Sequence, residues 1–317
     1  MNRKNQISYA IVGATGIVGI EIARLLIERD LAEPRNIILV ASQKSVGEKI
    51  PNITKKLENH RCISIEDALT LSPMFVLMSA GEDVSKEWAK KFTKSGAVVI
   101  DNSSAWRKKP DVPLVVPTIT QWDKESKLIS VPNCVAVMLS IALRNILLDN
   151  RVESIYADVY QSVSGAGKDG VTALEIENAT NKYWHGSPFD GKIANNILPL
   201  PGEEKKVTFE IPKIFNERNT QNIIATCNRV PINRGHSANV RITGKFELKD
   251  LIQNITNSYN VVYTSKQRGP SETIGKELVF VTNIRERPDG SFNLFVTSDN
   301  ALVGAASILV DILQEII

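Results

Sequence analysis

The sequence predicts an α/β chain, with a doubly wound Rossmann-type parallel sheet first and a second α+β domain built on a mixed or antiparallel sheet. Three observations carry this prediction. Compact apolar strands alternate with helical patterns over the first 130 or so residues, the signature of βαβ units. A glycine-rich turn, GATGIVG at 13–19, joins the first strand to the first helix. After Cys134 the pattern changes to longer strand-like stretches with a hairpin signal.

Residues 7–12 (ISYAIV) are the first strand. The helix after the turn has Ile20, Ala23, Leu25, Leu26 and Ile27 apolar and Glu21, Arg24, Glu28 and Arg29 polar, which is helical periodicity. Residues 37–41 (IILVA), 74–78 (MFVLM) and 97–100 (AVVI) follow as buried strands, with a helix from Val84 to Phe92 between the last two. A helix from Cys134 to about Leu148 opens the second part. Next come a strand near 153–163, a glycine-rich loop at 164–170, and strand-like stretches at 222–230, 237–247, 277–285 and 292–297. Pro288-Asp289-Gly290-Ser291 reads as the turn of a hairpin. Asp299 or Asn300 then caps a final helix, 301–317, expected to pack on the first domain.

A chain of 317 residues holds about two domains and buries enough surface to fold without disulfides. With 38 basic against 35 acidic residues the net charge is +3, too small a surplus to point to a nucleic-acid partner. Pairs such as Lys90-Lys91 and Lys108-Lys109 read as solvated surface. Cys62, Cys134 and Cys227 have no CxxC spacing, so neither a disulfide framework nor a metal site is expected. The longest apolar run, Val135 to Leu148, contains Ser140, Arg144 and Asn145 and is too short to span a bilayer. No signal peptide is read at the N-terminus, and a cytoplasmic location is expected.

In the 13–19 turn, Gly13, Gly16 and Gly19 allow backbone to approach a pyrophosphate closely, and the helix N-terminus offers it free N–H groups. The second strand ends in Ala41-Ser42-Gln43-Lys44-Ser45. An acid there would hold a ribose hydroxyl; two hydroxyls and a cation suit a 2′-phosphate, so NADP is the expected cofactor.

Cys134 directly precedes a helical run, where the dipole and unpaired N–H groups favour thiolate over thiol. A thiolate beside a nicotinamide adds to an aldehyde and sets up a hydride donor, leaving a thioester once the hydride is transferred. Cys62 and Cys227, in strand-like surroundings, read as small buried hydrophobes. His60 and His185 read as surface residues. His236, in a loop between two strands, is a candidate proton-transfer group.

Taken together, these segments resemble the aspartate-β-semialdehyde dehydrogenase family. GATGIVG, ASQKS, DNSSAWRKKPDVPLVVP (101–117), PNC (132–134), YQSVSGAGKDG (160–170), TCNRVPINRGHS (226–237) and VTSDNALVGAA (296–306) fall in family order along nearly the whole chain. The resemblance implies NADP-dependent interconversion of L-aspartyl-4-phosphate and L-aspartate-4-semialdehyde, on the route to lysine, methionine and threonine. It implies a homodimer, an NADP-binding domain at 1–132 completed by a helix at 299–317, and a catalytic and dimerisation domain at 133–298. It makes Cys134 the acyl-thioester nucleophile, Asn133 a shaper of its pocket, Gln161 the contact to the acyl group and His236 the acid/base catalyst. Arg229 would bind the substrate carboxylate, where a bidentate fork is apt, and Arg107 the phosphate. Glu203 and Lys206, within Glu203-Glu204-Lys205-Lys206, would face the substrate amine and phosphate. Thr15, Gly16, Ile17 and Val18 match the pyrophosphate turn, Ser42, Lys44 and Ser45 the 2′-phosphate loop, and Ser164, Gly165 and Asn300 the nicotinamide end.

The chain also departs from the family pattern. It is shorter between about Tyr183 and Glu203, where relatives carry helical material of the dimer contact. Val135-Ala136 replaces a small hydroxyl pair. Two other readings share these features: an N-acetyl-glutamyl-phosphate reductase, whose amidated substrate would leave Glu203 without a cationic partner, and a silent NADP-binding paralogue.

Overall fold

The computed structural model describes residues 8–217 and 223–317; Ile7 and Asn222, placed by sequence at strand starts, lie outside the described residues. Cα packing divides the chain into two compact units, Met1–Pro132 with Ala305–Ile317, and Asn133–Gly304.

In the first unit, β1 (Tyr9–Val12), β2 (Ile37–Val40), β3 (Phe75–Met78), β4 (Val98–Asp101) and β5 (Leu128–Ser130) form a five-stranded sheet in the order β2-β1-β3-β4-β5. Every pairing is parallel. Nearly every residue of these short strands is buried, which is why they read as continuous apolar runs. The helices are α1 (Ile17–Glu28), α2 (Ile65–Thr70) and α3 (Glu82–Lys94). Ser64 caps α2 by accepting the Asp67 N–H at 3.0 Å. Trp88 and Phe92 of α3 pack with Val76, Met78 and Val99 on one face of the sheet. The C-terminal α9 (Ser307–Ile316) packs against α1 and β4, and Arg29 pairs with Asp311 at 2.5 Å.

In the second unit, seven strands run in the order β10-β11-β12-β9-β6-β8-β7. They are β6 (Val152–Gln161), β7 (Leu198–Pro199), β8 (Ile223–Arg229), β9 (His236–Gly244), β10 (Val261–Tyr263), β11 (Val279–Glu286) and β12 (Phe292–Ser298). The sheet is mixed: β6–β8 and β10–β11 are parallel and the other pairs antiparallel. The β11–β12 hairpin turns through Pro288–Ser291, closed by the Arg287 N–H to the Ser291 carbonyl at 2.8 Å.

Several expected boundaries shift. The helix expected at 134–148 is two, α4 (Cys134–Ala142) and α5 (Arg144–Leu147). The glycine-rich segment 164–170 is not a loop: a short 3₁₀ turn, Val163–Ala166, runs into α6 (Gly167–Thr180), whose glycine-rich opening hides the helix-forming run behind it. Two further helices, α7 (Pro201–Ile214) and α8 (Leu248–Thr256), make this unit more helical than the sequence suggested. Helix α7 continues through Pro212 because that residue falls in its last turn. The final helix opens as a π-helix, Leu302–Ala306, with Asp299 Oδ1 accepting the Ala301 and Leu302 N–H groups.

Candidate active site

The pleat of the second sheet decides which side chains meet. Gln161 is paired with Arg229 across β6 and β8. Ser237 of β9 pairs with Tyr160, which puts His236, one residue earlier, level with Gln161. Side chains alternate along a strand, so Gln161, Arg229 and His236 project from three adjacent strands onto one buried face. All three are 5% exposed or less. His236 was expected in a loop; it is the first residue of β9, paired with Ser298 of β12. Helix α7 packs on β8 and on α4, so both helices reach this part of the unit.

Cys134 is the first residue of α4, and Asn133 is its N-cap. Asn133 makes three bonds that fix the entry to the helix. Its Oδ1 accepts the Val135 N–H at 2.9 Å, its Nδ2 donates to Glu203 at 2.9 Å, and its peptide N–H donates to the buried Glu210 at 2.5 Å. Glu203 and Glu210 are seven residues apart on α7, and so share a face. Lys206 pairs with Glu203 on that same face. Burial works against ionisation of Glu203, yet Lys206, Arg229 and the Asn133 amide outweigh it and hold the carboxyl below its ordinary range.

Arg229 donates from Nη1 to the Ser162 carbonyl at 2.7 Å, with Phe189 facing its guanidinium at 5.6 Å. Burial draws Arg229 down from its usual value, while Cys134, Glu203 and Cys227 pull it up. Among the described residues, three buried side-chain nitrogens at this face, Gln161 Nε2, Arg229 Nε and His236 Nε2, have no hydrogen-bond partner. Such groups are costly unless a ligand satisfies them, and donors alone call for an anionic or carbonyl-bearing one.

Ser164 and Asn300 meet in the same neighbourhood: Asn300 Oδ1 accepts from the hydroxyls of Ser162 and Ser164 and from the Gly235 N–H. Gly165 lies against the functional groups, since a Cβ there would fall 2.6 Å from Arg229 Nη1 and 3.2 Å from His236 Nε2. Cys227 is fully buried, and burial, with Glu203 adding to it, pushes its thiol up to about 12. Cys62 is buried too, and burial likewise raises it. His185 is exposed, while His60 is half-buried and bonded to the Pro34 carbonyl.

The remaining expected residues belong to the first unit. Gly13 has φ +84°, and a Cβ on it would meet the Ser79 carbonyl at 2.4 Å. The turn it starts is pinned by the Gly13 and Ala14 N–H groups, both donating to the Val40 carbonyl at 3.0 Å. Gly16 is the N-cap of α1 without a side-chain cap, and its own N–H donates to the Gly13 carbonyl at 3.0 Å, so it is Ile17 and Val18, next to Thr15, whose first-turn N–H groups stand at the helix tip. Ser42, Lys44 and Ser45 form a short turn at the carboxyl end of β2, beside that tip. This cradle of bare amides with a cation and hydroxyls alongside fits a phosphorylated dinucleotide. Arg107 is buried, its guanidinium donating to the carbonyls of Val131 at 2.9 Å and Asn102 at 2.8 Å. Among the described residues no cluster of His, Cys, Asp and Glu could hold a metal ion, and no helix is long and apolar enough to cross a membrane.

The chain is similar to known proteins along nearly its whole length. Residues 8–126 match the family described as semialdehyde dehydrogenase, NAD binding domain, and residues 145–303 the semialdehyde dehydrogenase dimerisation domain. The chain is 33% identical over 340 residues to the aspartate-semialdehyde dehydrogenase of Aquifex aeolicus, covering 97% of each. The chain belongs to the aspartate-semialdehyde dehydrogenase family. Another relative of that name, from Rickettsia bellii, is 34% identical over 336 residues, with 97% of each chain covered. The crystal structure of aspartate semialdehyde dehydrogenase II from Vibrio cholerae, complexed with ASA, superposes with a TM-score of 0.85 at 29% identity, covering 98% of this chain and 97% of that one. Membership of this family makes the chain an oxidoreductase with a nicotinamide-binding domain.

Sequence reasoning passed over three residues that shape the site. Glu210 was not among the expected site residues, and its place seven residues after Glu203 on the same helix face, where it is buried, is the signal that finds it. Ser162 sits between two expected site residues and acts largely through its peptide N–H, which no side-chain pattern reveals. Gly304 entered only as part of the 296–306 segment, and its closeness to Cys134 is a tertiary contact with no local signal.

Proposed function

We propose that the chain is an NADP-dependent aspartate-semialdehyde dehydrogenase, interconverting L-aspartyl-4-phosphate and L-aspartate-4-semialdehyde through a thioester on Cys134, in lysine, methionine and threonine biosynthesis. The observation that carries this reading is the set of groups gathered in the second unit with Cys134: Arg229, Glu203, Lys206, Gln161 and His236. In the reductive direction Arg229 binds the substrate carboxylate and the ionised Glu203 its ammonium. Arg107 and Lys206 serve the phosphate. The Cys134 thiolate, favoured at the tip of α4, attacks the acyl carbon; the C–S bond forms as the C–O bond to phosphate breaks. Gln161 and His236 serve the oxygen of the tetrahedral intermediates. Bound NADPH supplies the hydride that reduces the thioester, and cleavage of the C–S bond then releases the aldehyde.

The hydroxyl-and-lysine turn after β2, free of acids from Ala41 to Gly47, supports NADP over NAD. Ser164, Gly165 and Asn300 are proposed at the nicotinamide end. A homodimer is proposed through the uncovered face of the second sheet, where the register partners Tyr156 and Ile224 are both exposed. A cytoplasmic location is proposed alongside it.

The assay is reduction of NADP with aspartate semialdehyde, with and without phosphate, run beside N-acetylglutamate semialdehyde. Phosphate-dependent turnover of the aspartyl substrate alone is expected. Preference for the N-acetylated substrate, or NADP binding without turnover, would replace this reading with one of its two rivals.

A further inference from the structure

The hydrogen bonds around His236 carry more than a place in the site. The peptide N–H of Ser162 donates to Nδ1 of His236 at 3.1 Å. A peptide nitrogen has a fixed hydrogen and no lone pair to offer, so the imidazole nitrogen it meets must be the acceptor. The Ser162 hydroxyl lies 3.1 Å from the same nitrogen and can donate to it as well. Among the described residues no carboxylate hydrogen-bonds Nδ1, the partner that would stabilise an imidazolium. Its other nitrogen, Nε2, is buried with no hydrogen-bond partner among the described residues and sits beside Gly165 and the Arg229 guanidinium.

We infer that the Ser162 peptide fixes His236 in the tautomer carrying its proton on Nε2, so that the imidazole acts as a neutral hydrogen-bond donor to the substrate oxygen and not as the base that ionises Cys134. Ser162 is thereby a positioning residue. Burial and the Arg229 charge also hold the imidazole at about 3, far below its ordinary value, so the neutral ring is the species present at working pH.

The reaction balances without a proton from His236. Hydride addition to the thioester carbonyl gives a thiohemiacetal oxyanion, stabilised by the Nε2–H. Its collapse forms the aldehyde, breaks the C–S bond and returns the electron pair to sulfur as thiolate. The proton consumed overall ends on inorganic phosphate. The proton of the Cys134 thiol goes to solvent. Arg229 and Cys227 on β8 interact electrostatically with that sulfur; Arg229 in turn feels Glu203, which pairs with Lys206 on α7, and acts on His236 of β9.

This inference rests on the thioester reading, yet its primary test needs no substrate, so the two fail separately. The chain holds three histidines. Long-range ¹H–¹⁵N spectra of histidine-labelled protein, assigned by exclusion with His60→Gln and His185→Gln, report each tautomer directly. A neutral ring protonated on Nε2 is expected for His236 from about pH 6 to about pH 9. A proton on Nδ1, or an imidazolium signal in that range, overturns the inference. As a second readout, His236→Asn should lower kcat by roughly 10²–10³-fold, as for loss of an oxyanion donor. Alkylation of Cys134 by iodoacetamide should keep its rate within about threefold of wild type across the same pH range. Slower alkylation than that would make His236 the base.

Discussion

Gly304 lies directly on Cys134: a Cβ at position 304 would come within 2.6 Å of the Cys134 Cβ and 3.0 Å of its Cα. Gly304 belongs to the π-helix that opens the final helix, and π-helical turns collect at functional sites. Any side chain at 304 must move the nucleophile or the turn. Gly304→Ala should therefore cost about 1–3 kcal/mol of stability, as overpacking does, and lower kcat by at least ~10-fold through displacement of the sulfur. Thermal melts and steady-state kinetics check both. Unchanged kcat would show that the sulfur tolerates the shift.

Glu210 and Asn133 form a second such pair. Glu210→Ala leaves the buried Asn133 N–H unsatisfied and should cost roughly 1–3 kcal/mol, with faster local exchange of the amides at the start of α4. Glu210→Gln keeps an acceptor oxygen and should recover most of the loss. Denaturant melts of the two variants compare them directly, and equal losses would rule out the hydrogen bond as the reason for the carboxylate.

The low value of His236, about 3, makes a stability prediction whose sign can be worked out. In the unfolded chain the imidazole returns to about 6.5. Between those limits the unfolded state binds a proton that the folded state refuses, so stability falls as pH drops, by up to about 1.4 kcal/mol per pH unit. Above about pH 6.5 the group contributes no slope. Urea melts from pH 7 down to pH 4 should show this decline, and His236→Asn should flatten it. An unchanged slope in the variant would assign the decline to other groups.

Much of this was legible in the sequence, for reasons specific to particular residues. The parallel sheet could be read because β1 to β4 are buried on both faces and therefore continuously apolar. Cys134 could be placed because a helix start is a local fact, whereas Arg229 entered only through the family resemblance. The rest is not local. His236 looked like a loop residue because Gly235 precedes it, and only its pairing with Ser298 puts it on a strand. Helix α6 was hidden by the glycines at its start. The short segment after Tyr183 read as missing material, yet it is held by Glu177. That buried carboxylate accepts the N–H groups of Trp184 at 3.2 Å, Ile193 at 2.7 Å and Ala194 at 3.1 Å. Phe189, Ile193 and Ala194 then pack on Ala173 and Leu174 of α6. A single acid closing a loop seven to seventeen residues away has no sequence signature.

Lys44 tests the cofactor choice. It is exposed in the turn after β2, so its replacement should leave the fold intact. Lys44→Glu should raise KM for NADPH by about 10- to 100-fold, the worth of a charge-assisted contact to phosphate, and shift preference toward NADH. An unaltered ratio of the two cofactors would remove Lys44 from the 2′-phosphate site.

The covalent role of Cys134 is tested most directly by a burst experiment. Enzyme mixed rapidly with aspartate semialdehyde and NADP, with phosphate withheld, should form about one NADPH per active site and then stall, because the thioester has no acceptor. Added phosphate should release it, and Cys134→Ala should show no burst while still binding NADP. A burst that survives in Cys134→Ala would contradict the thioester on this residue.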